Sequence, residues 1–132
     1  MADPRRSLGA GGEEEACRLL RDSGYRILER NYSTRWGELD AVAYEDGEIV
    51  FVEVRTRSSD DFGSGAESVG PAKRRQLVRM ARFYMEDRRV APERPCRFDV
   101  VEMEPLGGSG WRGSVIRDAF GLSHGAWGTI YA

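Results

Sequence analysis

Three carboxylates stand where the sequence pattern is that of buried structure. Asp40 and Glu53 interrupt two apolar runs, and Arg55 lies two positions after Glu53, on the same face if the run is a strand. Glu13 precedes Ala16 by three residues, a helical spacing that places it on the apolar face of its helix. Burying ionised carboxylates side by side is unfavourable, and a divalent cation would neutralise them. Oxygen donors without His or Cys are typical of Mg²⁺ or Mn²⁺ sites, so the pattern predicts metal chemistry.

Each of these carboxylates also has a simpler explanation. Glu53 would be satisfied by an ion pair with Arg55 or Arg57, and Asp40 would cap a turn if its strand ended earlier. Glu13 would suit the first turn of a helix, where the helix dipole favours negative charge. The sequence alone leaves these alternatives open, and a joint site requires that the three side chains converge.

The elements that carry these residues follow the order αβββαββ. Their predicted bounds are Gly11–Asp22, Tyr25–Tyr32, Gly37–Tyr44, Glu48–Thr56, Pro71–Arg88, Arg97–Met103 and Gly113–Phe120. A hairpin at Glu45–Gly47 makes the second and third strands antiparallel, which brings Asp40 and Glu53 to the same end of the pair. The second helix is a crossover, which favours a parallel fourth strand. The pattern therefore predicts an α/β fold with a mixed central sheet of about five strands.

Charge is divided unevenly along a chain whose formal net charge is −2. Residues 33–70 contain nine acids against three arginines, whereas residues 71–97 contain nine Lys or Arg against three acids. A basic segment next to an acidic one suits a metal-dependent enzyme that acts on a polyanion such as nucleic acid. The alternative is a solvated, arginine-rich helix face with no partner.

The chain length of 132 residues predicts one domain, residues 9–120, between flexible tails at 1–8 and 121–132. Its longest apolar run, Ile49–Val52, is far shorter than the ~20 residues of a membrane span. The sequence shows no signal-peptide pattern, and its two cysteines are isolated. These features predict a cytoplasmic protein that does not bind membranes.

The motifs around the carboxylates resemble those of a known family. They comprise Gly9, Gly12, Glu13, Ala16 and Leu20, then "GYRILERN", "GELD", "FVEVRTR", Lys73 and "RFDVV". Over about Gly9–Phe120 they are similar to the YraN family of small bacterial proteins. That family resembles archaeal Holliday junction resolvases and the PD-(D/E)XK nucleases. The resemblance implies a restriction-endonuclease-like fold and a Mg²⁺- or Mn²⁺-dependent endonuclease that hydrolyses phosphodiester bonds, with branched DNA as the favoured substrate.

The same resemblance implies roles for individual residues. Asp40 matches the first sheet carboxylate of the family, Glu53 the acid of its E-x-K motif, and Glu13 its helix-one glutamate. All three would ligate the metal and, with Arg55, form the catalytic set. Arg55 departs from the pattern, which expects lysine there. Since arginine stays protonated to a pKa above ~12, it can orient a water or a phosphate but cannot act as a general base.

The basic residues after the third strand are expected to contact the nucleic-acid backbone. They are Arg57, Lys73, Arg74, Arg75 and Arg79. A mobile loop at Ser58–Gly70 is expected to guide the substrate. The alternative to an enzyme is a non-catalytic nucleic-acid-binding module with a degenerate site, which the arginine at position 55 favours. The sequence leaves open whether the protein forms a homodimer.

Overall fold

The computed structural model describes residues 4–56, 69–108 and 110–120, and their side chains from residue 11 onward. Its elements are α1 (Pro4–Asp22), β1 (Arg26–Thr34), β2 (Gly37–Glu45), β3 (Glu48–Thr56), α2 (Pro71–Asp87), β4 (Cys96–Pro105) and β5 (Trp111–Phe120). The predicted order αβββαββ is confirmed. Within the described ranges, no helix is long and apolar enough to cross a membrane.

Most element ends agree with the sequence pattern, but α1 does not. Strand ends lie within two residues of the predicted ones, and β3 matches at both ends. The first helix begins at Pro4, seven residues before the predicted start, so its first turns overlap the predicted tail 1–8. Proline suits a first helical turn because its missing N–H would have no partner there. The predicted C-terminal tail and residues 58–68 of the predicted loop lie outside the described residues.

The five strands form one sheet in the order β1-β2-β3-β4-β5. Neighbouring strands are antiparallel except for β3 and β4, which are parallel because α2 carries the chain back across the sheet. The predicted mixed sheet and its parallel pair are therefore confirmed. This topology leaves β3 at the centre, covered on both faces.

Each helix covers one face of the sheet. The α2 face contains a core that includes Val42, Phe51 and Phe98, and the α1 face contains a core that includes Ala41 and Val52. Because strand side chains alternate, position 53 shares the α2 face with Phe51. The alternation of β2 is interrupted at Asp40, since Leu39 and Val42 both pack in the α2-side core while Ala41 packs in the α1-side core.

A close contact brings the middle of α1 to the end of β3. A Cβ atom on Gly12 would lie 2.6 Å from Thr56 Oγ1, so a larger residue would require the Thr56 side chain or the helix to shift. Gly12, Ala16 and Leu20 form the buried stripe of α1, and Glu13 lies beside that stripe in a half-buried position. The packing of Gly12 therefore holds Glu13 at the end of the sheet where Asp40 is located.

A network of charged side chains is buried on the α1 face, close to the β2–β3 hairpin. The carboxylate of Asp99 is only 1% exposed; it accepts hydrogen bonds from Tyr25 Oη at 2.6 Å and Arg97 Nε at 3.0 Å. Arg97 also donates to Glu48 Oε2 at 2.7 Å and to Glu45 Oε1. Every buried side-chain nitrogen and oxygen in the described ranges has a partner. The network joins β4, the hairpin and Tyr25, the residue before β1, and it lies on the opposite sheet face from Glu53.

Candidate carboxylate site

The candidate site begins where β2 and β3 separate. Their paired register runs from the hairpin to Ala41 opposite Val52, and one further step would place Asp40 opposite Glu53. Instead, Oδ2 of Asp40 accepts a hydrogen bond from the backbone N–H of Val54 at 2.8 Å. The side chain thus replaces a strand acceptor, which fixes its orientation at the strand end.

Asp40 is held in an environment that disfavours its charge. Burial raises the pKa of its carboxyl group to about 7, and repulsion from Glu53 and from Glu13 adds to the effect. The Val54 N–H and the Lys73 ammonium act in the opposite direction. A carboxylate with a perturbed pKa and a specific set of charged neighbours is characteristic of functional sites.

Glu53 faces an ammonium group supplied by α2. Its side chain is 12% exposed, and Lys73 Nζ lies 3.6 Å from its Oε1. Burial raises the pKa of Glu53, while Lys73 and Arg55 lower it and Glu13 raises it further. The simpler explanation offered by the sequence, an ion pair within the strand, is therefore replaced in part by a pair that joins β3 to α2.

Glu13 completes a group of carboxylates that repel one another at the ends of strands β2 and β3. Burial raises its pKa first, repulsion from Glu38 raises it further, and Arg30 lowers it. Both Asp40 and Glu53 also have their pKa raised by Glu13. The structure thus brings the three predicted carboxylates into one electrostatic neighbourhood, together with Glu38.

The predicted nucleic-acid contacts on α2 take different positions. Arg74 turns back on the fold, donating from Nε to Val69 O at 2.7 Å with its guanidinium 5.3 Å from the Phe120 ring centre. Lys73 pairs with Glu53, Arg75 is exposed, and Arg79 lines a surface cavity. Arg57 lies outside the described residues, and the placements of the others do not test their predicted role.

The donor set fits a hard divalent cation in its chemistry. Glu13, Asp40 and Glu53 offer carboxylate oxygens only, which Mg²⁺ and Mn²⁺ prefer, and a cation would relieve the repulsion that raises the pKa of each. Within the described parts of the chain, however, no three His, Cys, Asp or Glu side chains stand close enough together to hold a metal ion. The ligands are neighbours but are not preassembled around one point.

Two features of this region were not assigned from the sequence. Glu38 shares the strand face of Asp40, and this alternation was the available signal for a fourth carboxylate. The contact of Lys73 with Glu53 had no signal, because it depends on how α2 lies over the sheet. The roles of Arg97 and Asp99 were also missed, although strand alternation puts both side chains on one face.

The mixed sheet, its parallel β3–β4 pair and its two flanking helices define an α/β protein with a restriction-endonuclease-like fold. Carboxylates lie at the ends of two inner strands of that sheet, where β2 and β3 separate. A family model described as "Uncharacterised protein family UPF0102" matches residues 12–103. The chain belongs to this family, also called YraN, and the predicted resemblance is confirmed.

Curated relatives agree with that assignment. A UPF0102 protein of Moorella thermoacetica is 55% identical over 76% of this chain and 83% of its own length. Another from Symbiobacterium thermophilum is 44% identical over 87% of this chain and 97% of its own. Among solved structures, SfsA of Pyrococcus furiosus in complex with Ca²⁺ matches 86% of this chain and 62% of that one. Its TM-score of 0.37 and 16% identity are too low to support any argument.

Proposed function

We propose that the protein is a metal-dependent endonuclease that hydrolyses phosphodiester bonds in DNA. The observation that carries the proposal is the position of Asp40 and Glu53 next to each other at the point where β2 and β3 separate. Both carboxyl groups have a raised pKa, and each is raised further by Glu13. A bound cation would offset the cost of burying these carboxylates together, and groups with pKa values perturbed in this way are concentrated at functional sites.

Glu13, Asp40 and Glu53 are the residues that would hold Mg²⁺ or Mn²⁺. When bound, such an ion lowers the pKa of a coordinated water and stabilises charge on a phosphate. The chain itself contributes orientation: the Val54 N–H fixes Asp40, and the Gly12 contact fixes the α1 segment that bears Glu13. These two contacts would limit the reorganisation needed when the carboxylates move to coordinate the ion.

Lys73 would supply the ammonium that position 55 lacks. Arg55 lies on the strand face of Glu53 and lowers the pKa of that carboxyl, so its charge is close enough to steady a phosphate. A guanidinium does not lose its proton at any pH the enzyme meets. Lys73 Nζ is 3.6 Å from Glu53 Oε1, so helix α2 places an ammonium group beside this same carboxylate.

The exposed arginines of α2 would bind the flanking DNA backbone. Arg75 and Arg79 are both exposed on the helix that carries Lys73, and Arg57 follows directly on β3. Contacts of this type do not depend on sequence and weaken as salt is raised. Branched DNA in the cytoplasm is the substrate that the family resemblance suggests, and it remains a prediction.

A non-catalytic nucleic-acid-binding module is the second candidate. Two observations favour it: the arginine at position 55, and the fact that no three potential ligands converge on one point in the described ranges. Such a protein would keep the basic surface and the fold but would not cleave.

Cleavage assays on labelled four-way junctions, flaps and single strands separate these functions. The enzyme is expected to cleave at least one of them with Mg²⁺ or Mn²⁺ and to stop when EDTA is added. Binding that weakens with salt, without cleavage in any metal, would instead identify the binding module. Neither cleavage nor binding would overturn both.

The role of Lys73 is tested by replacing it with methionine, which keeps the length of the side chain and removes its charge. Lys73→Met is expected to lower the single-turnover cleavage rate by about 100-fold or more, the scale of a general acid–base or a charge-stabilising group. The exposed Arg75→Met serves as the matched control and should weaken DNA binding with little effect on the rate at saturation. Equal loss of rate in the two variants would contradict a specific role for Lys73.

A further inference from the structure

A second candidate site lies on the α2 side of the sheet, further along that helix from Lys73. It is a surface cavity of about 410 Å³, within the range of small-ligand pockets. Its lining combines aromatic rings with cations: Arg35, Trp36, Arg79, Arg82, Phe83 and Glu86. Trp36 packs against the core that lies under α2, so the cavity opens on the side of the sheet where Glu53 and Lys73 lie.

The aromatic rings of the cavity are held in place by the fold. The turn after β1 is closed by Thr34, whose Oγ1 accepts the Trp36 N–H at 3.1 Å and donates to Gly37 O at 2.9 Å. Gln76 Nε2 donates to the carbonyl oxygen of Trp36, which ties the turn to α2. The ring of Phe83 meets that of Trp36 edge-on, with 5.9 Å between their centres. Two rings are therefore preorganised at the surface.

Gly37 is required for this arrangement. Its φ of +139° is one that side chains rarely adopt, and an added Cβ would lie 2.6 Å from Gln76 Nε2. The turn can thus lie flat on α2 only with glycine at this position. The glycine in the "GELD" motif consequently positions the tryptophan that precedes it, in addition to starting β2.

Single exposed apolar rings are common at protein surfaces, but here two adjacent rings lie among guanidinium groups. Phe83 is 38% exposed, although the core of this face lies directly beneath it. The Arg35 guanidinium lies 4.5 Å from the centre of the Trp36 ring, which shows that a flat cation fits against the indole. Arg79 is exposed at the rim, and Arg82 is held by Glu86 at 3.6 Å. Rings and guanidinium planes beside positive charge are the combination that binds unpaired bases and their phosphates.

The helix connects this cavity to the carboxylates. Lys73, Gln76, Met80 and Phe83 follow one another at i, i+3, i+7 and i+10, so they form one stripe along α2. The stripe begins at the ammonium on Glu53 and ends at the aromatic cavity, about 15 Å further along the helix axis. Met80 in this stripe is fully buried, so the stripe itself faces the sheet, and a strand bound at the carboxylates would have to extend about 15 Å along the exposed side of α2 to reach the rings.

We propose that the Trp36–Phe83 cavity binds an unpaired base of single-stranded nucleic acid, and so selects substrates with a single-stranded portion next to the cleavage position. This selection rests on the proposed nuclease function, but the binding of the base does not require cleavage. Stacking on these rings is tolerant of sequence, because every base presents a π face. Glu86 at the cavity rim would accept a hydrogen bond from the exocyclic amine of an adenine or a cytosine.

The test measures base-dependent binding in EDTA, so that no cleavage occurs. Fluorescence anisotropy compares a labelled oligodeoxythymidine with an abasic strand of the same length and with a blunt duplex. The wild-type protein is expected to bind the base-bearing strand about tenfold more tightly than the abasic one. Trp36→Leu should remove this ratio and leave duplex affinity within about twofold, whereas Trp36→Phe, which keeps a ring, should retain most of the ratio. An oligouridine arm shows whether RNA and DNA are treated alike.

Two further variants, a control and a substitute, make the binding result interpretable. Leu106→Ala removes another exposed apolar side chain, 40% exposed in the turn between β4 and β5, and should leave the ratio unchanged. Phe83→Leu is the second variant if Trp36→Leu does not fold, as judged by thermal unfolding. A wild-type ratio near one, or a ratio that survives both substitutions, would overturn the aromatic site. If junctions are still cleaved in that case, the nuclease function stands; if the ratio is lost as expected but no substrate is cleaved, the nuclease function fails while the site stands.

Discussion

Asp40→Asn is expected to abolish metal-dependent cleavage, lowering the rate by about a thousandfold or more, on the scale of several kcal/mol of lost charge stabilisation. The substitution keeps the shape of the side chain and an oxygen that can still accept the Val54 N–H. It removes the negative charge that a cation requires. The measurement is single-turnover cleavage of the best substrate at saturating Mg²⁺, together with calorimetric titration of the ion.

The matched control for this prediction is Asp46→Asn in the β2–β3 hairpin. Asp46 is exposed and has a φ of +54°, a conformation that asparagine adopts as readily as aspartate. The control therefore changes the same chemical group away from the site and should keep full activity. Cleavage by Asp40→Asn within about tenfold of the wild-type rate would remove Asp40 from the proposed site.

Asp40→Asn should increase the stability of the protein at high pH, although it lowers the cleavage rate. In the absence of metal, the pKa of Asp40 is about 7 in the folded protein and near ~4 in the unfolded chain. Folding therefore favours the protonated form, and wild-type stability falls as pH rises from about 4 through 7. The amide introduced by Asp40→Asn cannot ionise, so this variant should gain on the order of 4 kcal/mol over wild type at about pH 8 relative to about pH 4. Urea unfolding in EDTA at both pH values measures this difference; a constant difference would contradict the raised pKa.

Arg97→Leu is expected to produce the largest loss of stability, about 3–5 kcal/mol, because it leaves buried carboxylates without their counter-charge. Arg97 is 9% exposed and is the common donor to Asp99, Glu48 and Glu45. The pKa of Glu45 is lowered to about 2, chiefly by its hydrogen bond with Arg117 and also by Arg97. Removing Arg97 therefore leaves the buried Asp99 without its guanidinium and weakens the pairing of Glu48 and Glu45, although Glu45 keeps its hydrogen bonds with Arg117.

Chemical denaturation at about pH 7 measures this loss, with Arg18→Leu as the control. Arg18 is a mostly exposed residue of α1, with Glu15 at 3.8 Å, and surface pairs of this kind contribute ~0–1 kcal/mol. A loss below about 1 kcal/mol in Arg97→Leu would show that the network relaxes and takes up water. Because the network lies on the α1 face near the hairpin, a folded Arg97→Leu protein should still bind DNA.

The sequence was sufficient for the fold because its signals were local. Alternation in Glu48–Thr56 and the Glu45–Gly47 turn defined the central hairpin, and the crossover helix fixed the parallel pair. The N-terminal helix was predicted too short because Gly9, Gly11 and Gly12 weaken helical propensity, and tertiary packing of Gly12 outweighed that preference.

The candidate site was only half visible in the sequence. The hairpin placed Asp40 and Glu53 at the same end of the β2–β3 pair, because the short turn defines the register of the two strands. The helices supply the other groups: Lys73 pairs with Glu53, and Glu13 lies near Asp40. Their positions depend on how each helix is rotated and packed on the sheet. A single sequence contains little information about such long-range packing. The role of Trp36 could not be predicted for the same reason, because its ring packs against Phe83, which is distant in the sequence.

The hydrogen bond between Val54 and Asp40 has a consequence for how a ligand would meet this carboxylate. One oxygen, Oδ2, is already engaged by the backbone, so Oδ1 is the oxygen that keeps its full coordination capacity. Asp40 would therefore bind as a one-oxygen ligand with its direction set by the strand. An ion that demands an octahedron at short distances suits such a ligand better than a larger ion that prefers two oxygens from each carboxylate. In this way a missing strand pair would favour Mg²⁺ over Ca²⁺.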